Sequence, residues 1–380
     1  MIGKPPYNNS KSARSNYMNK NKKALLSHFK NAVSKDWQDW RWQFKNRITS
    51  IAQLEQIIGK VSAQKSSAAA SVYPLAITPY YLSLVQLDTE NDPIRTQCVP
   101  DIRELFSSQS AFADPLEEDA HMPVDKLVHR YPDRCLAIVT EICATYCRHC
   151  NRKRFWSTSP NISFKTRLAK MLRYISASPQ IREVIISGGD PLTFDDNTLE
   201  SLLASFKAIP HVKVLRIGSR VPVVMPMRIT KDLCRMLKRY RPLWFNTQFN
   251  HPNEITTESS RACNMLQEAG IPVSNQSVLL KGVNDFPEVM RNLLYGLQNI
   301  SVRPYYLFHC DPVKGCEHFR TNIKSGIIIM DEIWRQCSGL SLPQYVVDLP
   351  GNTGKIPLTA LSKKLKNDLK KHQHFFDKFE

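Results

Sequence analysis

The chain has 380 residues, 42% hydrophobic and 23% charged, with 52 lysines and arginines against 34 acids and a net charge of +18. This length buries a large core in one or two domains, and the ordinary globular composition excludes wholesale disorder. No apolar run approaches the roughly 20 residues of a membrane-spanning helix, so no membrane partner is expected. The opening carries no secretory signal, and ten cysteines without one point to a reducing compartment, the cytoplasm, and to metal or redox chemistry.

In chain order, residues 1–36 hold eight basic residues against one acid, Asp36, among asparagines and serines, and read as a solvated, poorly ordered tail. A transit peptide fits badly because of Pro5-Pro6 and Asn8-Asn9. A second basic run, Lys363 to Lys371, closes the chain, so much of the excess charge lies at the ends and nucleic acid is not the expected partner. Trp37, Trp40 and Phe44 recur at three and four residues, the spacing of a core-facing helical stripe. Residues 48–61 repeat the pattern with Ile51, Leu54, Ile57 and Ile58, and the region 37–128 reads as helical and packed on the rest.

From Cys135 onward, short apolar runs alternate with longer helical ones. Strands are expected at 136–140, 183–187, 214–217, 243–247, 273–279 and 305–308, and helices at 166–176, 197–208, 231–238 and 259–268. Such alternation implies right-handed βαβ units and a parallel sheet. Six strands are too few for a closed eight-stranded barrel, so a partial (β/α)6 barrel is the economical solution. Polar motifs follow the strands: a cysteine loop, Gly188-Gly189-Asp190, Gly218-Ser219-Arg220 and His309-Cys310-Asp311. Loops at the carboxyl ends of barrel strands should converge on one site.

The cysteine loop, Cys143-Ala-Thr-Tyr-Cys147-Arg-His-Cys150, is the most informative stretch. Three thiolates on one tight loop hold three irons of a cubane and leave the fourth open to a small chelating molecule. Structural zinc needs a fourth ligand, and His149, wedged between two of the cysteines, is poorly placed to supply it. The Cys-x3-Cys-x2-Cys spacing resembles the radical S-adenosylmethionine (SAM) enzymes. That resemblance implies the partial barrel and a SAM pocket edged by Gly188, Gly189 and Asp190, with His149, Arg220 and Gln276 beside it.

Near the other end, Val346 to Leu349 is strand-like and leads into Pro350-Gly351-Asn352-Thr353-Gly354-Lys355. A lysine between glycine-rich turns can carry an amine for a pyridoxal 5′-phosphate (PLP) aldehyde, but phosphate loops and plain turns look alike. A Walker loop is excluded because Ile356 follows the lysine.

Taken together, His129 to Arg134, Cys143 to Cys150, Asn151 to Phe155, Tyr305 to Asp311 and Asp348 to Lys355 resemble the lysine 2,3-aminomutase family, over about residues 37–355. The resemblance implies a radical SAM barrel over 129–320 and a segment 321–380 carrying the PLP lysine. It implies that Cys143, Cys147 and Cys150 hold a [4Fe–4S] cluster and that Lys355 holds PLP. Arg130 and Arg134, beside Tyr131, are then expected at the PLP phosphate, and Arg152 at the substrate α-carboxylate. Asp311 and Asp348 would bracket a distal cation, since paired desolvated carboxylates are unfavourable unless a cation lies between them. Lysine fits best. Arginine or another amino acid is the alternative substrate, and a radical SAM enzyme modifying RNA or protein is the remoter one. The resemblance also implies a flavodoxin or ferredoxin as electron donor and a homo-oligomer. Departures from the family pattern are Gln248 in place of a histidine, Asn352-Thr353 within a glycine loop, Phe286 at a zinc-ligating cysteine position and no cysteine after Lys355, so the family's structural zinc site is expected to be missing.

Overall fold

Alternation of apolar runs with helices produces, in the computed structural model of the chain, one nine-stranded sheet whose strands lie in chain order. The structure describes residues 11–358, except 30–31, 59, 88, 90, 107, 110, 157–162 and 352. The strands are β1 (Leu127–Tyr131), β2 (Arg134–Thr140), β3 (Glu183–Gly188), β4 (Val214–Gly218), β5 (Leu243–Thr247), β6 (Val273–Leu279), β7 (Arg303–His309), β8 (Gln344–Leu349) and β9 (Gly354–Pro357). Strands β2 to β8 run parallel, while β1 and β9 pair antiparallel at the two edges. The six expected strands are therefore β2 to β7, and the partial barrel is extended by a seventh parallel strand and two antiparallel ones.

Pleating divides each strand between two environments. On β3, Val184 and Ile186 are fully buried, and on β4 so are Leu215 and Ile217. Their neighbours Ile185, Ser187, Arg216 and Gly218 instead line the barrel interior. The crossover helices are amphipathic: Lys231–Lys238 buries Leu233, Cys234, Met236 and Leu237 and leaves its charged residues outside. Two helices not read from the sequence, Pro287–Asn299 and Ile323–Gln336, complete the outer layer.

The expectation of a solvated tail over 1–36 is corrected for its described part. Residues Lys11–His28 form a helix, α1, that docks on the body. Leu25 is 1% exposed, and Asn21 Nδ2 donates to the carbonyls of Ser83 and Val85, 3.2 and 2.7 Å away. Only scattered positions make this contact, so no amphipathic period announces it. The first ten residues and the lysines from Lys363 to Lys371 lie outside the described residues. Trp37 sits in a separate turn, Asp36–Gln38, and Trp40 opens α2 (Trp40–Lys45), whose first turn is capped by Asp39. Both tryptophans are buried, at 2% and 8% exposure, so the aromatic stripe faces the core although a turn divides it. Among the described residues no helix is long and apolar enough to cross a membrane.

Candidate active site

A cavity of about 630 Å³ opens at the carboxyl ends of the parallel strands. Every site residue expected from the sequence lines it: Arg130, Tyr131, Arg134, Cys143, Cys147, His149, Cys150, Arg152, Gly188, Gly189, Asp190, Arg220, Gln276, Asp311, Asp348 and Lys355. Residues more than 200 positions apart thus meet because the sheet runs in chain order and curls.

The cysteine loop is held from behind by a buried ion cluster. Arg148, fully buried between two of the cysteines, donates from Nε and Nη2 to Glu104 at 2.9 and 2.6 Å and from Nη1 to Pro74 O at 2.9 Å. Lys153 Nζ donates to the same Glu104 at 2.7 Å and to Gly315 O at 2.8 Å. Burial raises the Glu104 pKa, but the two cations outweigh it and hold the carboxyl below its usual range. Charges this dry persist only when fully paired. The other support is backbone. A Cβ at Gly188 would lie 2.4 Å from Thr140 O, and one at Gly189 2.4 Å from Ile142 O, so the end of β3 presses on the chain where it leaves β2 for the cysteines.

The three thiols fit a cluster. Burial, followed by the sulfurs of Cys150 and Cys147 with Asp190 nearby, holds the Cys143 thiol well above its ordinary value. Cys150 is pushed up to about 11, first by burial and then by Cys147. A polycationic iron cluster is what would deprotonate such a set. Among the described residues no three His, Cys, Asp or Glu side chains stand close enough to share one metal ion.

Around this loop, Arg220 is immobilised. Its Nη2 donates to Glu254, Gln97 and the Tyr81 hydroxyl at 2.7, 2.6 and 3.1 Å, its Nε to Gln248 O at 3.1 Å and its Nη1 to Cys147 Sγ at 2.7 Å. Asp190 turns its carboxylate toward the fold, accepting from Ser219 Oγ at 2.7 Å and the Arg220 and Leu192 amides at 2.8 and 3.0 Å. It therefore sets the position of Arg220. His149 Nε2 faces Asn250 Nδ2 at 3.2 Å, while its Nδ1, buried, has no hydrogen-bond partner. Burial and the Arg220 charge keep that ring neutral, with its pKa well below the usual histidine range.

At the other end, Asp348 and Lys355 sit opposite each other on β8 and β9. Lys355 Nζ is 3.1 Å from Asp348 Oδ2 and 3.3 Å from the Tyr131 hydroxyl. Gly354, at φ +67°, lets Tyr131 approach, since a Cβ there would lie 2.8 Å from its hydroxyl. Arg134 stacks on the Tyr131 ring at 3.7 Å. The two arginines differ in use. Arg130 donates to Leu349 O and Gly351 O at 2.5 and 3.0 Å, lies 3.5 Å from Asp348 Oδ1 and so anchors the loop before Lys355, whereas Arg134 pairs with its exposed neighbour Asp133 at 2.7 Å. An amine, aromatic rings and a guanidinium at one cavity wall fit an aromatic aldehyde bearing a phosphate.

Between the two ends lie Arg152 and Asp311. Arg152 is paired with Glu118, its Nη2 lying 2.6 Å from Oε1, and Arg154 shares that carboxylate at 3.1 Å. Burial raises the Glu118 pKa, but the two arginines dominate and bring it down to about 2. Asp311 accepts from Asn151 Nδ2 at 3.1 Å, and burial, then the negative charge of Asp348, pushes it up to about 7. Sequence reasoning missed Glu104, Glu118, Gln97, Tyr81 and Glu254. Each is a lone polar residue outside any motif, and only long-range contacts reveal it.

The Radical SAM superfamily model matches residues 137–294, the span from β2 through most of the crossover helix after β6. The chain is 49% identical to the L-lysine 2,3-aminomutase of Clostridium subterminale over 87% of this chain and 80% of that protein. It is 46% identical to the enzyme of the same name from Fusobacterium nucleatum, over 87% and 78%. A glutamate 2,3-aminomutase from Clostridioides difficile is 41% identical over 90% and 81%. Identity at this level, over 87% of the chain, places it in the lysine 2,3-aminomutase family of radical SAM isomerases, whose cofactors are a [4Fe–4S] cluster, SAM and PLP.

Proposed function

We propose that this protein is a lysine 2,3-aminomutase, moving the amino group of L-lysine from the α- to the β-carbon to give β-lysine. One observation carries the choice of substrate: Asp311 and Asp348 share the cavity, and burial, then the charge of Asp348, pushes Asp311 up to about 7. A substrate ammonium placed there relieves that repulsion, and a substrate with an acidic or neutral side chain does not. The glutamate-specific relative shows that the family scaffold alone does not choose the substrate.

When bound, the cluster and SAM supply a carbon radical that removes hydrogen, and PLP supplies an aldehyde that holds the migrating nitrogen. The chain's own residues orient and enclose. Cys143, Cys147 and Cys150 hold the cluster, with Gly188, Gly189, His149, Arg220 and Gln276 around SAM. Lys355 would hold PLP, with Tyr131 in the same wall and Arg134 available to its phosphate, while Arg130 fixes the Lys355 loop. Arg152, kept flat by Glu118, takes the α-carboxylate, and the two aspartates fix the distal ammonium, so the β-hydrogen is presented at one position. The reducing electron comes from a flavodoxin or ferredoxin, and ten cysteines, all free, suit a reducing cytoplasm. A homo-oligomeric assembly completes the reading.

Arginine also bears a distal cation and is the rival substrate. The test is anaerobic incubation of the reconstituted enzyme with lysine, arginine or glutamate, followed by chromatography of the β-isomers. β-Lysine as the main product is the expected result. Product from arginine or glutamate but none from lysine overturns the assignment.

A further inference from the structure

We propose that the basic face made by α1 and α2 docks a small acidic electron-transfer protein, which reduces the cluster through the Cys143 side of its loop. The inference rests on the reading of the site as a reductively started radical enzyme, and it assigns the charge that the chemistry leaves unexplained. Residues 17–50 hold eight lysines and arginines against two acids, Asp36 and Asp39. Both acids are engaged locally, Asp36 by the Val33 amide at 2.8 Å and Asp39 by the Arg41 amide at 2.9 Å. The face is built rather than loose: Phe29, just past α1, meets Trp42 edge-on with ring centres 5.4 Å apart, and Lys22 of α1 lies 5.5 Å over Trp37.

This face reaches the cluster loop directly. Arg47, two residues past α2, donates from Nη1 to Cys143 O at 2.6 Å while its guanidinium stacks 3.9 Å over Phe44. Beside it Ile142 is 49% exposed, an apolar spot next to the first cluster cysteine. Arg41 and Lys45 share one side of α2 at i and i+4, and both are exposed. The substrate cavity, by contrast, mixes both signs, with Arg152 and Lys355 paired to Glu118 and Asp348. An acidic donor is therefore drawn to the uncompensated basic side chains of α1 and α2 rather than to the charge-balanced cavity. Its surface charge steers it, and the apolar spot lets it seat. The redox step balances simply: one electron leaves the reduced donor, the oxidised cluster gains it, and no bond is made or broken.

The test uses the full chain, reconstituted anaerobically, with reduced flavodoxin as donor and cluster bleaching followed by stopped flow. Arg41→Glu combined with Lys45→Glu should slow donor-driven reduction at low salt by about tenfold or more, and added salt should bring the wild type toward the variant. Dithionite, which needs no docking, should reduce both at the same rate. Lys207→Glu with Lys238→Glu, on other helices, makes the same change in net charge and should leave the donor-driven rate intact. Equal donor-driven rates in wild type and the α2 variant overturn the proposal, as does an equal loss in the control. RNA binding abolished by the α2 changes while reduction is untouched would give the face to nucleic acid and also overturn it. Failure of dithionite-reduced wild type to isomerise lysine would sink the functional reading instead, because bleaching is read without substrate.

Discussion

Asp348 and Lys355 are register partners across the antiparallel β8–β9 pair, and their side chains form an ion pair at 3.1 Å. The carboxylate proposed for the substrate's ammonium thus already holds two cations belonging to the chain, Lys355 and, at 3.5 Å, Arg130. Once Lys355 is committed to the coenzyme, Asp348 faces the cavity next to Asp311 with one neutralising charge fewer. If Lys355 and Asp348 have the roles proposed, this strand pairing would couple coenzyme loading to the acceptance of a cationic substrate.

Replacing Asp348 by Asn tests that coupling. Removing one partner of a desolvated charge pair typically loses 2–5 kcal/mol. The specificity constant kcat/KM for lysine should fall by roughly thirtyfold to a few thousandfold. PLP absorbance should persist, because Lys355 and its Tyr131 contact remain. Steady-state kinetics with a coenzyme titration checks both. An unchanged kcat/KM would remove Asp348 from the substrate site.

Asp311 gives the reaction a pH dependence. Its pKa of about 7 in the ligand-free protein, set by burial and then by Asp348, leaves it neutral below that value. Neutral Asp311 cannot pair with an ammonium, so KM for lysine should fall by about tenfold per pH unit up to pH 7 and then level off. Asp311→Asn should flatten that profile. Stability runs the other way. The unfolded chain loses this proton near 3.8, the folded one near 7, so across that window the folded state binds more protons and stability declines as pH rises. Asp311→Asn should therefore raise Tm relative to wild type at pH 8 and not at pH 4, which calorimetry can decide.

Glu104 binds Arg148 and Lys153 in the interior, with side-chain exposures of 0%, 0% and 2%. Glu104→Gln leaves two buried cations without a counter-charge and should reduce stability by about 3–5 kcal/mol. Because Arg148 lies between cluster cysteines, iron retention should fall in parallel. A second change, Lys153→Met, removes one of the stranded charges and should restore part of the lost Tm. Failure of the double variant to recover any would mean that the carboxylate acts by shape rather than charge.

What the sequence reveals depends on whether the signal is local. The six strands β2 to β7 and the cysteine spacing are legible because buried apolar runs and Cys-x3-Cys-x2-Cys are short-range patterns, and 243–247 and 273–279 match β5 and β6 at both ends. Strand β1 is not legible: Leu127-Val-His-Arg-Tyr131 is half polar and earns its place only by pairing with β2. Helix α1 fails for the same reason, since its docking rests on Asn21 finding Ser83 and Val85 more than 60 residues away and on the burial of Leu25. The acids that hold Arg148, Arg152 and Arg220, namely Glu104, Glu118 and Glu254, are likewise invisible until the chain is folded. Motif residues announce chemistry, and their supports do not.

Gly189 offers the sharpest test of how those supports reach the cluster. A methyl there would meet Ile142 O at 2.4 Å and the carbonyl carbons of Glu141 and Ile142 at 2.7 Å, all backbone atoms that cannot rotate away. Gly189→Ala must push the end of β3 away from the chain entering the cysteine loop, a steric change of about 1–3 kcal/mol. The cysteines remain, but their spacing shifts, so iron bound per chain should drop to about half or less while secondary structure by circular dichroism is kept. Gly339→Ala, where no atom lies within 4 Å of the added carbon, is the matched control and should bind iron as the wild type does. Full iron loading in Gly189→Ala would mean that the loop finds its geometry without β3, and that the cluster shapes its own site.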